Sequence, residues 1–305
     1  MFYICSFVRF EGGKQLATQN NFYGPHTEKK LQAIGAYLQS FLTVLSKQKF
    51  ETIYIDAFAG SGTLPIELGG ELLEGIEDAK TIVEGSALRA IALEREFSRY
   101  IFIEKDSRKL AELKALITSQ SRNSRNMDFI CGDANAEIAK LCPLLNKANI
   151  RSVVFLDPTG NHVGWSTLDA LAATEHVDLW YLFPAGLGVN RQISNVDAKM
   201  TTEQKASLDR LFGPNEWRDK FIRKAVQTDL FGEIETTSKV ASIDDITRYK
   251  IDCMKTIFKG EVLDKWLPLG RDGAHWYSLI FAMANPSKKA KVIGHDIARH
   301  IMTNN

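Results

Sequence analysis

Three features of the chain predict a doubly wound α/β sheet. Strand-like segments alternate with helix-like ones from Thr52 to Phe183, the strand-like segments are close to continuously apolar, and four of them in succession end in acidic or glycine-rich turns. Apolar strands separated by helices belong to a parallel sheet covered on both faces. The fixed hand of the crossovers then leaves the doubly wound arrangement as the main solution.

Each element has a local cause. Gly24-Pro25 and His26-Thr27 punctuate the N-terminal segment, and Thr27 is placed to N-cap a helix from Glu28 to about Lys47. Within it Leu31, Ile34, Leu38, Phe41, Leu42 and Leu45 recur at helical spacing. The run Thr52 to Asp56 is strand-like and ends in a glycine turn. Helices follow over Gly85 to Glu96, Leu110 to Ile117, Ala134 to Leu145 and Leu168 to Ala173. Strands are expected at Arg99 to Glu104, Met127 to Cys131, Val153 to Leu156 and Val177 to Phe183. Beyond Phe183 the spacing predicts charged helices over Thr201 to Phe212 and Asn215 to Ala225, and another over Ile243 to Phe258. Val262 to Leu267 and His275 to Ala284, joined by a Gly270/Gly273 turn, read as an antiparallel pair at the sheet edge. The expected organisation is an N-terminal segment and helix over 1–50, an α/β domain over 51–185 and 241–305, and a helical insertion or cap over 186–240. An acidic insertion spans 63–84; Glu67, Glu71, Glu74, Glu77 and Asp78 in it fall mostly on one helix face.

Composition narrows the class. Of 305 residues 45% are apolar and 25% charged, which are globular proportions and exclude disorder, collagen and coiled coil. Lys and Arg number 38 against 37 Asp and Glu, a formal charge of +1 that argues against an overall positive coat while allowing a local basic patch. Cys5, Cys131, Cys142 and Cys253 show no CxxC spacing, so neither a zinc ribbon nor a disulfide framework is indicated. Phe2 to Val8 is too short for a signal h-region, and no stretch approaches the ~18 apolar residues of a membrane span. The expectation is a soluble, cytoplasmic protein.

The strand ends carry the chemistry. The first is Asp56-Ala57-Phe58-Ala59-Gly60-Ser61-Gly62-Thr63, where Gly60 and Gly62 admit close approach of backbone to a ligand. It lacks the third glycine of GxGxxG, since Pro65 stands there. Glu104, followed by Lys105, ends the second strand and either accepts from both ribose hydroxyls of a nucleoside or is a solvated charge. Asp133, before Ala134, either accepts from an adenine amino group or N-caps the next helix. The fourth strand ends in Asp157-Pro158-Thr159-Gly160, where the proline fixes a turn and aims an acid over the carboxyl edge.

Taken together these ends resemble the class I S-adenosylmethionine-dependent methyltransferases. The resemblance implies a Rossmann-like sheet and S-adenosyl-L-methionine as cofactor. It puts Asp56, Phe58, Ala59, Gly60, Ser61 and Gly62 in the cofactor loop, Glu104 at the ribose and Asp133 at the adenine, with Lys105 and Ala134 also cofactor-binding. Asp157 and Pro158 stand where amino-group methyltransferases carry a (D/N/S)PP(Y/F) motif, which implies methyl transfer to a nitrogen, an exocyclic amino group of a nucleobase above all. A closer likeness is to the three-Cys-motif partner family (TcmP), on His26-Thr27…Lys30, Asp56 to Gly62, Gly85-Ser-Ala-Leu-Arg89-Ala, Phe102 to Asp106, Phe155 to Gly160, Leu182-Phe-Pro184 with Arg191, and Tyr277 to Ala282. It implies a phage-like protein carrying a three-cysteine motif as partner, and a non-catalytic subunit of such a complex as the alternative function.

Thr159 and Gly160 depart from the motif, replacing its second proline and its aromatic. His162 or Trp165 is then the candidate stacking face, with loop packing the alternative for Trp165. His26 is either a contact to cofactor or substrate or a surface residue; Arg191 either binds phosphate or carboxylate or makes an ion pair. Lys288, Lys289 and Lys291 read as a solvated helix start or a nucleic-acid contact. No HExxH, GxSxG or Walker pattern is present, and no metal is expected. A nicotinamide dehydrogenase would share the sheet but needs the missing third glycine.

Overall fold

The computed structural model describes residues 25–65, 82–119, 126–193, 200–214, 216–229, 232–271 and 273–304. In chain order its elements are α1 (Pro25–Leu45), β1 (Glu51–Asp56), β2 (Thr63–Pro65), β3 (Ile82–Glu84), α2 (Ser86–Ile91), β4 (Arg99–Glu104), α3 (Ser107–Ser119), β5 (Met127–Cys131), α4 (Ala134–Leu145), β6 (Ile150–Leu156), α5 (Trp165–Ala173), β7 (Val177–Phe183), a π-helical turn (Ala185–Asn190), α6 (Thr202–Phe212), α7 (Trp217–Phe221), β8 (Ile222–Asp229), β9 (Gly232–Lys239), α8 (Ile243–Lys255), β10 (Glu261–Val262), β11 (Leu267–Arg271), β12 (Ala274–Met283) and α9 (Lys288–Asn304).

The expected sheet is present. Its order is β10-β12-β7-β6-β1-β4-β5, with β11 also on β12. The five strands from β7 to β5 are parallel, and β12 pairs antiparallel with β7, β10 and β11. The antiparallel pair therefore closes one edge of a parallel, doubly wound, Rossmann-like sheet.

Both faces are dry because successive side chains of a strand point to opposite sides. Ile53, Ile55, Val154, Leu156, Tyr181 and Phe183 enter one core, whereas Tyr54, Phe102, Val153, Phe155, Trp180 and Leu182 enter the other. Residues of α4 to α8 share the first core, and residues of α1, α2, α3 and α9 the second. A strand that must bury both of its faces reads as a continuous apolar run, which is why the sheet was legible.

Several boundaries differ from expectation. Thr27 does not cap α1: the helix is already running at Pro25, so His26 and Thr27 lie within its first turn. Helix α2 stops at Ile91 rather than Glu96 because Phe97 is buried and its N–H donates to the Tyr100 hydroxyl at 3.0 Å. The helix expected over 215–225 ends at Phe221, and the chain enters the β8–β9 hairpin. Trp217 and Phe221 already fill the space against Phe212, and the pairing of Ile222 with Lys239 is a non-local choice that helical spacing cannot reveal. The 186–240 segment thus contains a hairpin as well as helices. The strand expected over 262–267 is split into β10 and β11. The acidic residues Glu67 to Asp78, the N-terminal apolar run and Cys5 lie outside the described residues.

Candidate active site at the carboxyl edge of the sheet

The chain builds β1, β4 and β5 to one side, then returns to lay β6 and β7 on the other side of β1. The order reverses between β1 and β6, and ligands of open α/β sheets bind outside the carboxyl ends at such a switch point. Asp56 ends β1, Asp157 follows the end of β6, and Glu104 ends β4 beside them.

The loop after β1 is held from both neighbours. Ala57 N–H donates to Phe155 O at 3.1 Å and Ala59 N–H to Ile103 O at 3.0 Å. Asp56 is fully buried and organises the turn, accepting from the Ser86 hydroxyl at 2.6 Å and from Phe58 N–H at 3.3 Å. Burial pushes its carboxyl up to about 6, opposed by the Ser86 hydrogen bond and assisted by the nearby charge of Asp157. Its place is structural support beneath the loop, while Phe58 packs partly into the first core.

Gly60 and Gly62 have φ of 62° and 81°, the left-handed region that side chains disfavour. Their surroundings differ. A Cβ on Gly60 would meet open space, whereas one on Gly62 would lie 2.6 Å from Leu113 Cδ1. Gly62 is thus a packing position, whereas Gly60 borders open space. Gly62→Ala is expected to destabilise the fold by about 2 kcal/mol through backbone strain and overpacking, read as a lowered midpoint in denaturant. Ser61 Oγ makes a long contact, 3.4 Å, to Thr63 O.

Glu104 binds the loop directly: it accepts Gly60 N–H at 3.0 Å through one oxygen and Asp106 N–H at 2.9 Å through the other. Lys105 is exposed, and its carbonyl is 3.7 Å from Cys131 Sγ. Asp133 takes the N-cap alternative, its Oδ1 accepting from Asn135 N–H at 3.0 Å and Ala136 N–H at 3.3 Å, with Ala134 buried behind it. Asn135 in turn accepts from Gly164 N–H at 2.8 Å and the Thr167 hydroxyl at 2.6 Å, and donates to His162 O at 2.8 Å, tying the loop after β6 to α4.

Pro158 is buried; Asp157 is partly exposed and forms an ion pair with Lys30 of α1. In the sequence Lys30 carries no mark of a role at this strand end; the available signal is its four-residue spacing from His26, which puts both on one helix face. Lys30 Nζ also lies 6.0 Å from the centre of the Phe155 ring. Helix α1 is pinned over the site by Glu28, which accepts from Arg89 of α2 at 3.0 and 2.6 Å in a two-pronged pair.

His26 packs edge-on against Trp276, ring centres 5.3 Å apart, and its buried Nδ1 has no hydrogen-bond partner among the described residues. Burial, then the charges of Lys30 and Arg271, hold the imidazole below its ordinary value. Tyr277 is raised by burial and by Asp157, and lowered by Arg191, so all three share one electrostatic neighbourhood. Arg191 is exposed at the end of the π-helical turn, which Lys239 fastens through Asn190. His162 is exposed, near Gly160. Trp165 takes the packing alternative: it lies against Gly213, and Lys250 Nζ stands 5.0 Å from its ring centre. Asp157, Lys30, His26 and Tyr277 thus share one neighbourhood, Glu104 stands across β1 against Gly60, and Trp165 is partly buried against the first core.

Among the described residues no group of three or more His, Cys, Asp or Glu side chains is placed to hold a metal. No helix there is long and apolar enough to cross a membrane. Lys288, Lys289 and Lys291 begin α9, with Lys288 and Lys289 exposed.

No protein-family model matches the chain, and no curated protein matches it. Among solved structures it is similar to an S-adenosylmethionine-dependent methyltransferase from Clostridium acetobutylicum ATCC 824, at 11% identity over 84% of this chain and 92% of that one, TM-score 0.34. It is also similar to an rRNA methylase from Streptococcus thermophilus, at 10% identity over 68% and 95%, TM-score 0.30. A third likeness is to the N-terminal domain of EvdMO1 solved in the presence of SAH and D-fucose, at 10% identity over 83% and 82%, TM-score 0.39. At these scores the likenesses carry no weight of their own. The fold class stands on the strand order and the antiparallel closing strand, and the resemblance to the three-Cys-motif partner family is not confirmed.

Proposed function

We propose that the chain is an S-adenosylmethionine-dependent methyltransferase acting on a nitrogen, with an exocyclic amino group of a nucleobase as acceptor. The observation that carries this reading is the meeting of Glu104 with Gly60 at the switch point. An acid at the end of β4 closes on the backbone of a glycine whose outer side faces open space. Those residues suit a nucleoside cofactor: Glu104 for the ribose hydroxyls, Gly60 for close backbone approach, and the second oxygen of Asp133 for the adenine side. When bound, S-adenosylmethionine supplies an electrophilic methyl group. Asp157 would accept an N–H of the acceptor amine, orienting the nitrogen lone pair and taking up the proton that the methylated nitrogen sheds. Pro158 fixes the turn that aims this acid. Trp276, edge-on to His26, and Tyr277, in the electrostatic neighbourhood of Asp157, are the candidate aromatic faces in place of the one Gly160 lacks.

The test is calorimetric titration with S-adenosylmethionine and S-adenosylhomocysteine. Binding is expected, and Glu104→Ala should weaken it roughly tenfold to a hundredfold, the worth of hydrogen bonds to a charged group. Folded protein that binds neither compound would sink the proposal. One observation favours a second reading, a cytoplasmic non-catalytic subunit beside a three-Cys-motif protein: Thr159 and Gly160 stand where amino-methyltransferases place proline and an aromatic. A measured activity indifferent to Asp157→Ala would support it.

A further inference from the structure

Lys30 reaches Asp157 from 127 residues earlier in the chain, and both side chains are largely withdrawn from water, at 13% and 21% exposure. Desolvating such a pair is costly, and apolar replacements of buried pairs are often neutral or stabilising. Such a pair is therefore a weak source of stability for an ammonium at this strand end. The contact uses Asp157 Oδ2, and among the described residues Oδ1 accepts no hydrogen bond. The ammonium carries three N–H donors, of which Asp157 takes one. An acceptor and a donor thus stand side by side at the switch point, with the donor held near the Phe155 ring.

An amino group on an aromatic nitrogen heterocycle presents the matching pair: an N–H to give and, across one carbon, a ring nitrogen with a lone pair to accept. An alkylamine has no such acceptor. When protonated it would also meet the charges of Lys30 and, close to His26, Arg271. We propose that Lys30 is a specificity-determining residue that, with Asp157, reads the amidine edge of an aminated heterocycle, as adenine, cytosine and guanine display it. The proposal rests on reading Asp157 as the acceptor for the substrate amine.

The experiment uses the full chain, with S-adenosylhomocysteine present, and labelled thymidine pentamers carrying one central adenine, cytosine or guanine. Each is compared with its counterpart lacking the ring nitrogen beside the amino group: 1-deazaadenine, 3-deazacytosine or 3-deazaguanine. Fluorescence anisotropy reads affinity. At least one natural base should bind about tenfold to a hundredfold more tightly than its deaza counterpart. Lys30→Met should erase that preference, and Lys30→Arg should restore part of it, with thermal melts showing that both variants are folded. Equal affinity for every pair, a preference that survives Lys30→Met in folded protein, or no binding of any pentamer overturns the inference. Should Lys30→Met not fold, the deaza comparison on the natural protein decides alone. The outcome is separable from the cofactor reading, since titration with S-adenosylmethionine alone is independent of the pentamers.

Discussion

Asp157→Ala is expected to lower the rate of methyl transfer by roughly 10²–10⁴-fold, the range associated with removing a positioned proton acceptor, while leaving affinity for S-adenosylmethionine within about twofold of the natural protein. The split follows from geometry. Asp157 stands after β6, on the far side of β1 from Glu104, and its partner is Lys30 rather than any residue of the glycine loop. Removing its carboxylate takes away the orienting oxygen and leaves the Lys30 ammonium beside the reacting nitrogen, which disfavours the positive charge developing there. Steady-state rates with calorimetric cofactor affinity measure both halves. A variant that loses cofactor binding as much as rate would show that Asp157 supports the cofactor loop, and the acceptor role would be withdrawn.

The second large effect concerns stability against pH. Lys250 is fully buried, with its ammonium nitrogen 5.5 Å from the centre of the Phe212 ring and 6.0 Å from those of Tyr181 and Phe183. It donates to Leu211 O at 2.6 Å, and burial lowers its pKa to about 7. Asp178 is displaced the other way: burial raises it to about 7, although Tyr37 donates to it at 2.7 Å.

The signs follow from linkage. Between about 7 and the ordinary lysine value of 10.5 the unfolded chain holds a proton on Lys250 that the folded chain lacks, so this group makes stability rise with pH. Between the ordinary carboxylate value of 3.8 and about 7 the folded chain holds a proton on Asp178 that the unfolded chain lacks, so stability from this group falls as pH rises. Asp56 acts in the same sense up to about 6. Each limb approaches roughly 1.4 kcal/mol per pH unit. Compared with the natural protein, Lys250→Met should therefore be most favourable at neutral pH and lose that advantage toward pH 10. Asp178→Asn should lose ground toward pH 4. Denaturant midpoints across the range test both, and parallel curves for natural and variant proteins would refute the assignment.

How much was legible can be followed residue by residue. Ala134–Leu145 and Val177–Phe183 form where they were expected, because helical spacing and a doubly buried strand are short-range signals. The acidic strand ends were visible for the same reason, since each follows directly on an apolar run. Asp133 kept two readings in sequence, and the structure shows it capping α4. Trp165 also kept two, and only the approach of Gly213 and Lys250 turned it into a packing residue. The hairpin from Ile222 to Lys239 overlaps the helix that local spacing predicts to Ala225, because its pairing is between segments that carry no mark of each other.

By itself, then, the sequence determined the parallel sheet, its two apolar faces and the row of acids along one edge, all properties written in the local alternation of side chains. The tertiary structure decided which of those acids meet which partners. Lys30 lies on Asp157 because the strand order sets the start of α1 over the end of β6, and Glu104 lies on Gly60 because β4 is the neighbour of β1. Such meetings depend on the order in which strands are laid side by side, and no periodicity within a single strand or helix encodes that order.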